Sequence, residues 1–285
     1  MLIPRFKIMD ILFWDVLVSI FIFGLIVGSF LNCLIWRSYA GESAMRGRSH
    51  CPKCKHQLVW FDLVPVFSFL ALAGRCRYCK KPISWQYPAV ELACGLLFCA
   101  AAFAFAPMIF AGNFLIFPIL ELAAYWLILA ALIAIFAADL RWYIIPDGAL
   151  IAGLAGALAL RGLQLWESES VFHQLDANII IAPLLAAILA AGFFLAIFLV
   201  SRGKWMGFGD VKFAVLMGLI AGLPEVLIAL FLANFFGAII GLGLIAAGKK
   251  KMSSLIPFGP FLVAGTLAAL FFSRRIIDWY FSIGV

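Results

Sequence analysis

The sequence predicts an all-α polytopic membrane protein: about eight transmembrane helices with a small cytoplasmic zinc-ribbon-like loop domain. Three observations predict it. Of the 285 residues, 66% are hydrophobic and only 12% charged, where a soluble domain has about 45–50% and about 25%. A soluble globule is excluded, and so is a disordered chain, which is poor in apolar side chains, whereas Phe alone occurs 29 times here. The apolar residues come in runs of bilayer length. The one long segment between runs is basic and holds two Cys-x-x-Cys pairs.

The first apolar run, 11–36, holds Trp14 and Trp36, separated by roughly 33 Å of helix, which matches a bilayer with an aromatic at each interface. It is too long for a signal peptide and ends in GSFLNCLIW with no small-residue cleavage pattern, so it is expected to remain as an anchor. Further runs lie at about 88–110, 114–138, 144–161, 177–200, 211–223, 225–246 and 255–272. The run at 211–223 is short for a span of about 20 residues. Residues 1–36 are thus read as the first transmembrane helix, 37–86 as a cytoplasmic four-cysteine loop domain and 87–285 as the main transmembrane bundle.

Orientation follows from charge. The net charge is +7, and in a membrane protein the place of the cations decides, since Lys and Arg accumulate in cytoplasmic loops. Residues 37–86 carry Arg37, Arg46, Arg48, Lys53, Lys55, Arg75, Arg77, Lys80 and Lys81 against Glu42 and Asp62, which puts this segment inside. The loop at 162–176, with Glu167, Glu169 and Asp176, then reads as external. The loops at 201–212 and 247–254, with Arg202, Lys204, Lys212 and Lys249 to Lys251, read as internal. Arg5, Lys7, Arg274 and Arg275 fit this orientation poorly. Small residues four apart, as at Ala149, Gly153 and Ala157 or Gly237 and Gly241, suit close helix packing.

Cys51, Cys54, Cys76 and Cys79 have the spacing of a tetrahedral zinc site, each pair forming one knuckle. A loop this short has little core of its own, so a metal would supply much of its folding energy. Four Cys leave no open coordination position, so the site is structural. Two disulfides or free thiols are the alternatives, and the cytoplasm disfavours disulfides. His50 and His56 are substitute ligands to consider; Cys33, Cys94 and Cys99 lie in spans and are expected to pack.

Ionisable groups within spans are expensive and therefore functional candidates. Asp139 ends one apolar run and Asp210 opens another, both at the cytoplasmic end of their spans, so they can meet. Two carboxylates sharing one proton can hydrolyse a peptide, one as general base on water, the other polarising the scissile carbonyl. Gly207 and Gly209 would permit irregular backbone beside Asp210 and leave room for an extended substrate, and with Lys212 they form its immediate support. The alternative is that both aspartates are ordinary interfacial charges, paired with Arg141 and Lys212. Asp147, after Pro146, looks like a helix cap, and Glu91 is expected in the first turn of the second span, where the dipole favours an anion.

The ordered set GSFLNCLIWR (28–37), CPKC and CRYC, WFDLVPVFSFLALAGRC, ISWQYPAVEL (83–92), DLRWYIIPD (139–147), GFGDVKF (207–213) and PFGPFL (257–262) resembles the bacterial type IV prepilin leader peptidases, aspartic intramembrane peptidases of the GxGD type. The resemblance runs from about 24 to 265. It implies that Asp139 and Asp210 are the catalytic pair, that Asp147 is not catalytic, and that 87–285 is a peptidase bundle. It implies a basic prepilin or pseudopilin leader as substrate, cut at the cytoplasmic face of the bacterial inner membrane. It also implies N-methylation of the new terminus with S-adenosylmethionine. No nucleotide-type glycine loop is evident, so methyl transfer rests on the resemblance alone, with Glu91 and the loop as its candidates.

Glu42, Asp62 and Glu91 are the acids near the basic loop that a basic leader could meet. Nucleic acid is not an expected partner, and the oligomeric state is left open. Two other classes stay in view: a proton-coupled transporter using the same acids, although no internal repeat of the transporter kind is evident, and a non-catalytic pilus or secretion assembly protein. A presenilin-like protease would share GxGD without needing the cysteine loop.

Overall fold

The structure is a computed structural model and describes residues 5–43, 47–111, 116–172, 176–249 and 256–283. Arg46, Lys250 and Lys251 of the basic loops lie outside the described residues. Among those described there are nine α-helices and no strand: α1 (Arg5–Ala40), α2 (Phe67–Ala71), α3 (Gln86–Ala111), α4 (Ile116–Trp142), α5 (Asp147–Phe172), α6 (Asn178–Ser201), α7 (Phe208–Ala221), α8 (Glu225–Ala246) and α9 (Gly259–Ile283). The spanning segments are helical for one reason: at membrane depth the backbone must satisfy its own N–H and C=O groups.

Seven helices are long and apolar enough to cross a bilayer, and the eighth expected span is different in kind. Helix α7 has 14 residues, about 21 Å of rise against a hydrocarbon core of about 30 Å. It stops at Gly222, whose φ of 76° breaks the helical path at low cost only because glycine lacks a Cβ. Its side chains from Val211 to Ile220 are mostly buried, and it packs against α5, α6, α8 and α9. Its apolar character therefore reflects burial in protein on all sides.

Other limits also move. The loop expected at 162–176 is helical to Phe172, because α5 carries its polar end beyond the apolar window. The run predicted at 225–246 is observed with those bounds as α8.

The chain forms two compact units, residues 1–137 and 138–285, with the last turn of α4 in the second. In the first, α1 packs along α3 through glycines outside the small-residue pairs noted in the sequence. A Cβ on Gly24 would lie 2.7 Å from Gly95 Cα, and one on Gly28 would lie 2.6 Å from Glu91 Cα, so the two backbones approach as only small residues allow. In the second unit, Gly218 of α7 has the Ala187 backbone of α6 where a Cβ would stand. Of the pairs noted in the sequence, Gly237 and Gly241 face Phe258 and Ile256.

Candidate active site and candidate metal centre

Within the second unit, α4 ends one turn after Asp139 and α7 begins two residues before Asp210. Both carboxylates are buried, at 6% and 8% exposure, and they lie near enough for their charges to interact. The backbone N–H of Gly259, the first residue of α9, donates to Asp139 Oδ2 at 2.9 Å. Asp210 stands in the first turn of α7, where the helix dipole favours an anion, and its own N–H donates to the Gly207 carbonyl.

The two glycines beside Asp210 differ: Gly207 is extended (φ −79°, ψ 154°) and ends the non-helical stretch before α7, whereas Gly209 is already helical. What Gly207 supplies is space, since a Cβ there would meet nothing nearer than the Gly209 nitrogen at 3.9 Å. Gly209 lies against Ile145, which a Cβ would approach to 3.3 Å.

Lys212 reaches neither aspartate of the pair: its Nζ donates to Asp147 Oδ1 at 2.8 Å, both groups being exposed. Arg141 sits over the Trp142 ring. Asp147 is the first residue of α5, and its carboxylate is taken by Lys212. The partnering of Asp210 by Lys212 is thereby excluded. Gly259 is the residue that sequence reasoning missed; its signal lies in PFGPFL, a motif to which the sequence alone attaches no chemistry.

In the first unit the two Cys pairs fold as copies of one turn. Cys51 N–H donates to His56 O, and Lys55 N–H to Cys51 O; Cys76 N–H donates to Lys81 O, and Lys80 N–H to Cys76 O. Lys55 and Lys80 share a left-handed φ of 60° and 57°. The matching sequence is a short repeat, C-x-x-C-K-x-x-[LI]-x-W at 51–60 and again at 76–85, which the cysteine spacing by itself does not reveal.

The four thiol sulfurs lie within 4.8 Å of one another, and Cys51 and Cys79 Sγ are 4.0 Å apart. A tetrahedral ion bound at about 2.3 Å needs sulfurs about 3.8 Å apart, so the donor set fits a metal. Burial pushes the Cys51 thiol up, but the Cys54 and Lys53 backbone N–H groups outweigh it and bring it down to about 7. Neither histidine belongs to the cluster: the His50 ring stands edge-on to Trp36, and the His56 ring lies tilted against Tyr78.

Glu91 is buried in the second turn of α3, one turn later than expected, and its Oε2 accepts the Val66 N–H at 2.7 Å. Asp62 accepts Arg77 Nε at 2.8 Å. Two of the three acids offered for a basic leader are therefore occupied by the chain's own groups, and the third, Glu42, has its Oε1 4.0 Å from His50 Nε2.

Residues 22–105 match the family described as Bacterial Peptidase A24 N-terminal domain, and residues 126–242 match the type IV leader peptidase family. A protein from Burkholderia pseudomallei (strain 1026b) is 34% identical over 280 residues, covering 88% of this chain and 84% of its own. This chain belongs to the type IV leader peptidase family. Further relatives come from Bacillus subtilis (strain 168), 32% identical over 92% of this chain and 96% of the relative, and Aeromonas hydrophila, 31% identical over 94% of each. All three are named Prepilin leader peptidase/N-methyltransferase. No solved structure matches the chain significantly. The transporter and assembly-protein readings find no support among members of this family.

Proposed function

We propose that this protein is a membrane aspartyl endopeptidase that removes the basic leader of type IV prepilins or pseudopilins and then N-methylates the new amino terminus. The observation that carries the first step is the pairing of two buried, mutually interacting carboxylates, Asp139 and Asp210, at the ends of two helices. In that step one carboxylate takes a proton from water as it attacks the scissile carbonyl. The other, protonated, gives its proton to the carbonyl oxygen; when the resulting diol collapses, the first carboxyl passes the proton it took from water to the leaving amine and the second recovers its own from the diol hydroxyl. The Gly259 N–H on Asp139 Oδ2 stops that carboxylate from rotating and so fixes the direction of Oδ1. The open space at Gly207 admits the extended chain. Docking of the substrate's own apolar helix from the bilayer sets the depth of the scissile bond, which is catalysis by orientation.

The relatives' names carry the second step, which uses S-adenosylmethionine as methyl donor. Its site is assigned to the first unit, with the four-cysteine loop over α1 and α3 and Glu91 holding that loop at Val66. Zinc on Cys51, Cys54, Cys76 and Cys79 joins the two knuckles; with four thiolates it has no open position and serves the fold. The enzyme lies in the bacterial inner membrane with the four-cysteine loop and the aspartates facing the cytoplasm, in keeping with the cations of 37–86.

The deciding experiment is cleavage of a purified prepilin by the wild-type protein, Asp139→Asn and Asp210→Asn in detergent, read as substrate mass. Each single variant, still folded, should lose cleavage. Undiminished cleavage by either variant would remove the aspartyl mechanism, and none by wild type would remove the substrate assignment.

A further inference from the structure

The segment between the two knuckles is short, polar neither in composition nor in exposure, and held to α3 at two levels. Trp60 begins a 3-10 turn ending at Asp62, and α2 follows at Phe67–Ala71. Trp60 is 78% exposed, Phe67 68% and Leu70 62%. Apolar side chains scattered singly on a surface need no explanation, but three large exposed ones within eleven residues are a local concentration of apolar surface.

Its depth is fixed by two contacts. Trp85 immediately precedes α3, whose first residue Gln86 opens a candidate membrane span, and a Trp at that position marks the interface. The Phe69 ring of α2 lies 4.8 Å from the Trp85 ring, which puts α2 at that level. Glu91 lies five residues into α3, about 7.5 Å further along the helix, and it accepts the N–H of Val66. The segment's lowest backbone thus stands at the depth of the second turn of a span.

That backbone is unusual in a way the depth explains. Pro65, Val66 and Phe67 form a γ-turn of the rarer hand, with Val66 at φ 61°, ψ −50° and Phe67 N–H donating to Pro65 O at 2.6 Å. Such turns are rare and strained, the more so at a β-branched residue. Irregular backbone at membrane depth is tolerated only where its polar groups are satisfied within the protein. The buried Glu91 carboxylate does this for the Val66 N–H.

We propose that residues 60–71 lie in the membrane interface, with Trp60, Phe67 and Leu70 in the boundary between lipid headgroups and acyl chains, held at that depth by Glu91. Apolar faces of interfacial elements sink about 5–10 Å into that boundary, which agrees with the level of Val66. The knuckle repeat supplies an exposed Trp at the same place twice, Trp60 and Trp85. The exposed Lys53, Lys55, Lys80 and Lys81 of the knuckles suit anionic headgroups just above. The four-cysteine loop is then seated on the bilayer rather than suspended from two helices.

The test uses the full chain in phosphatidylethanolamine–phosphatidylglycerol vesicles without substrate. The emission lost in Trp60→Phe isolates Trp60, and Phe67→Trp in that background gives a second probe should the first variant fold poorly. Both probes should be quenched by lipids brominated on the acyl chain, several-fold more than by acrylamide in the water. Glu91→Leu should shift the balance toward acrylamide, while Glu91→Gln, which keeps an acceptor, should restore it. Quenching by acrylamide alone would overturn the proposal. So would shielding from both agents, which would mean a protein partner, or shielding that develops only when a prepilin is added, which would mean a substrate dock.

Discussion

The Gly259 N–H reaches across 120 positions of sequence to donate to Oδ2 of Asp139 at 2.9 Å. A Cβ on Gly259 would stand 2.7 Å from that oxygen. Gly259→Ala must therefore displace either the carboxylate or the start of α9. A displacement of about 1 Å in a reacting group can cost about a hundredfold in rate. We expect kcat for prepilin cleavage to fall by about that much with KM little changed, measured by initial rates over a range of substrate concentration.

Helix α7 ends short of the bilayer width, and Arg161 of α5 closes its C-terminus. The guanidinium donates to Ile220 O at 2.7 Å and to Leu219 O at 3.2 Å. In the membrane those carbonyls have no water to turn to. Arg161→Met should destabilise the protein by about 1–3 kcal/mol for each carbonyl left without a donor. Arg161→Lys should restore part of the loss, both read as thermal unfolding in one detergent.

Metal removal should separate the two activities. Chelation, or Cys76→Ser, should release one zinc per chain and raise hydrogen exchange over residues 49–83, because the knuckles have little core to replace the ion. Methylation should be lost, and cleavage should fall much less. Thiolates are the proposed ligands, so protons compete with metal, and uptake by the metal-free protein should weaken as pH falls. Competition against a zinc dye at several pH values measures this. Equal loss of both activities would contradict the placing of methylation alone on the four-cysteine unit.

The Lys212 and Asp147 pair is exposed on both sides, and such pairs contribute about 0–1 kcal/mol. Lys212→Met should leave both stability and cleavage nearly unchanged. A loss of cleavage comparable to that of Asp210→Asn would mean that Lys212 acts on the chemistry despite its partner.

Composition and run length alone determined that the chain is a helical membrane bundle, because a bilayer admits only apolar segments whose backbone bonds are internal. Cysteine spacing determined the two knuckles, whose four thiols could hold a metal, since ligand geometry is local and each pair sits in one turn. The aspartates were legible as candidates because a carboxylate in an apolar run is costly. Tertiary structure alone decided what each polar group bonds to. Lys212 turned to Asp147, Glu91 to a γ-turn 25 positions earlier, and Asp139 to Gly259 on another helix. It also made α7 a buried core helix, which periodicity cannot distinguish from a lipid-facing one because both are apolar all round. Each of these depends on which faces of distant helices meet, and in a chain this uniformly apolar the meeting is set by shape, by glycines such as Gly28 and Gly218 that let backbones close.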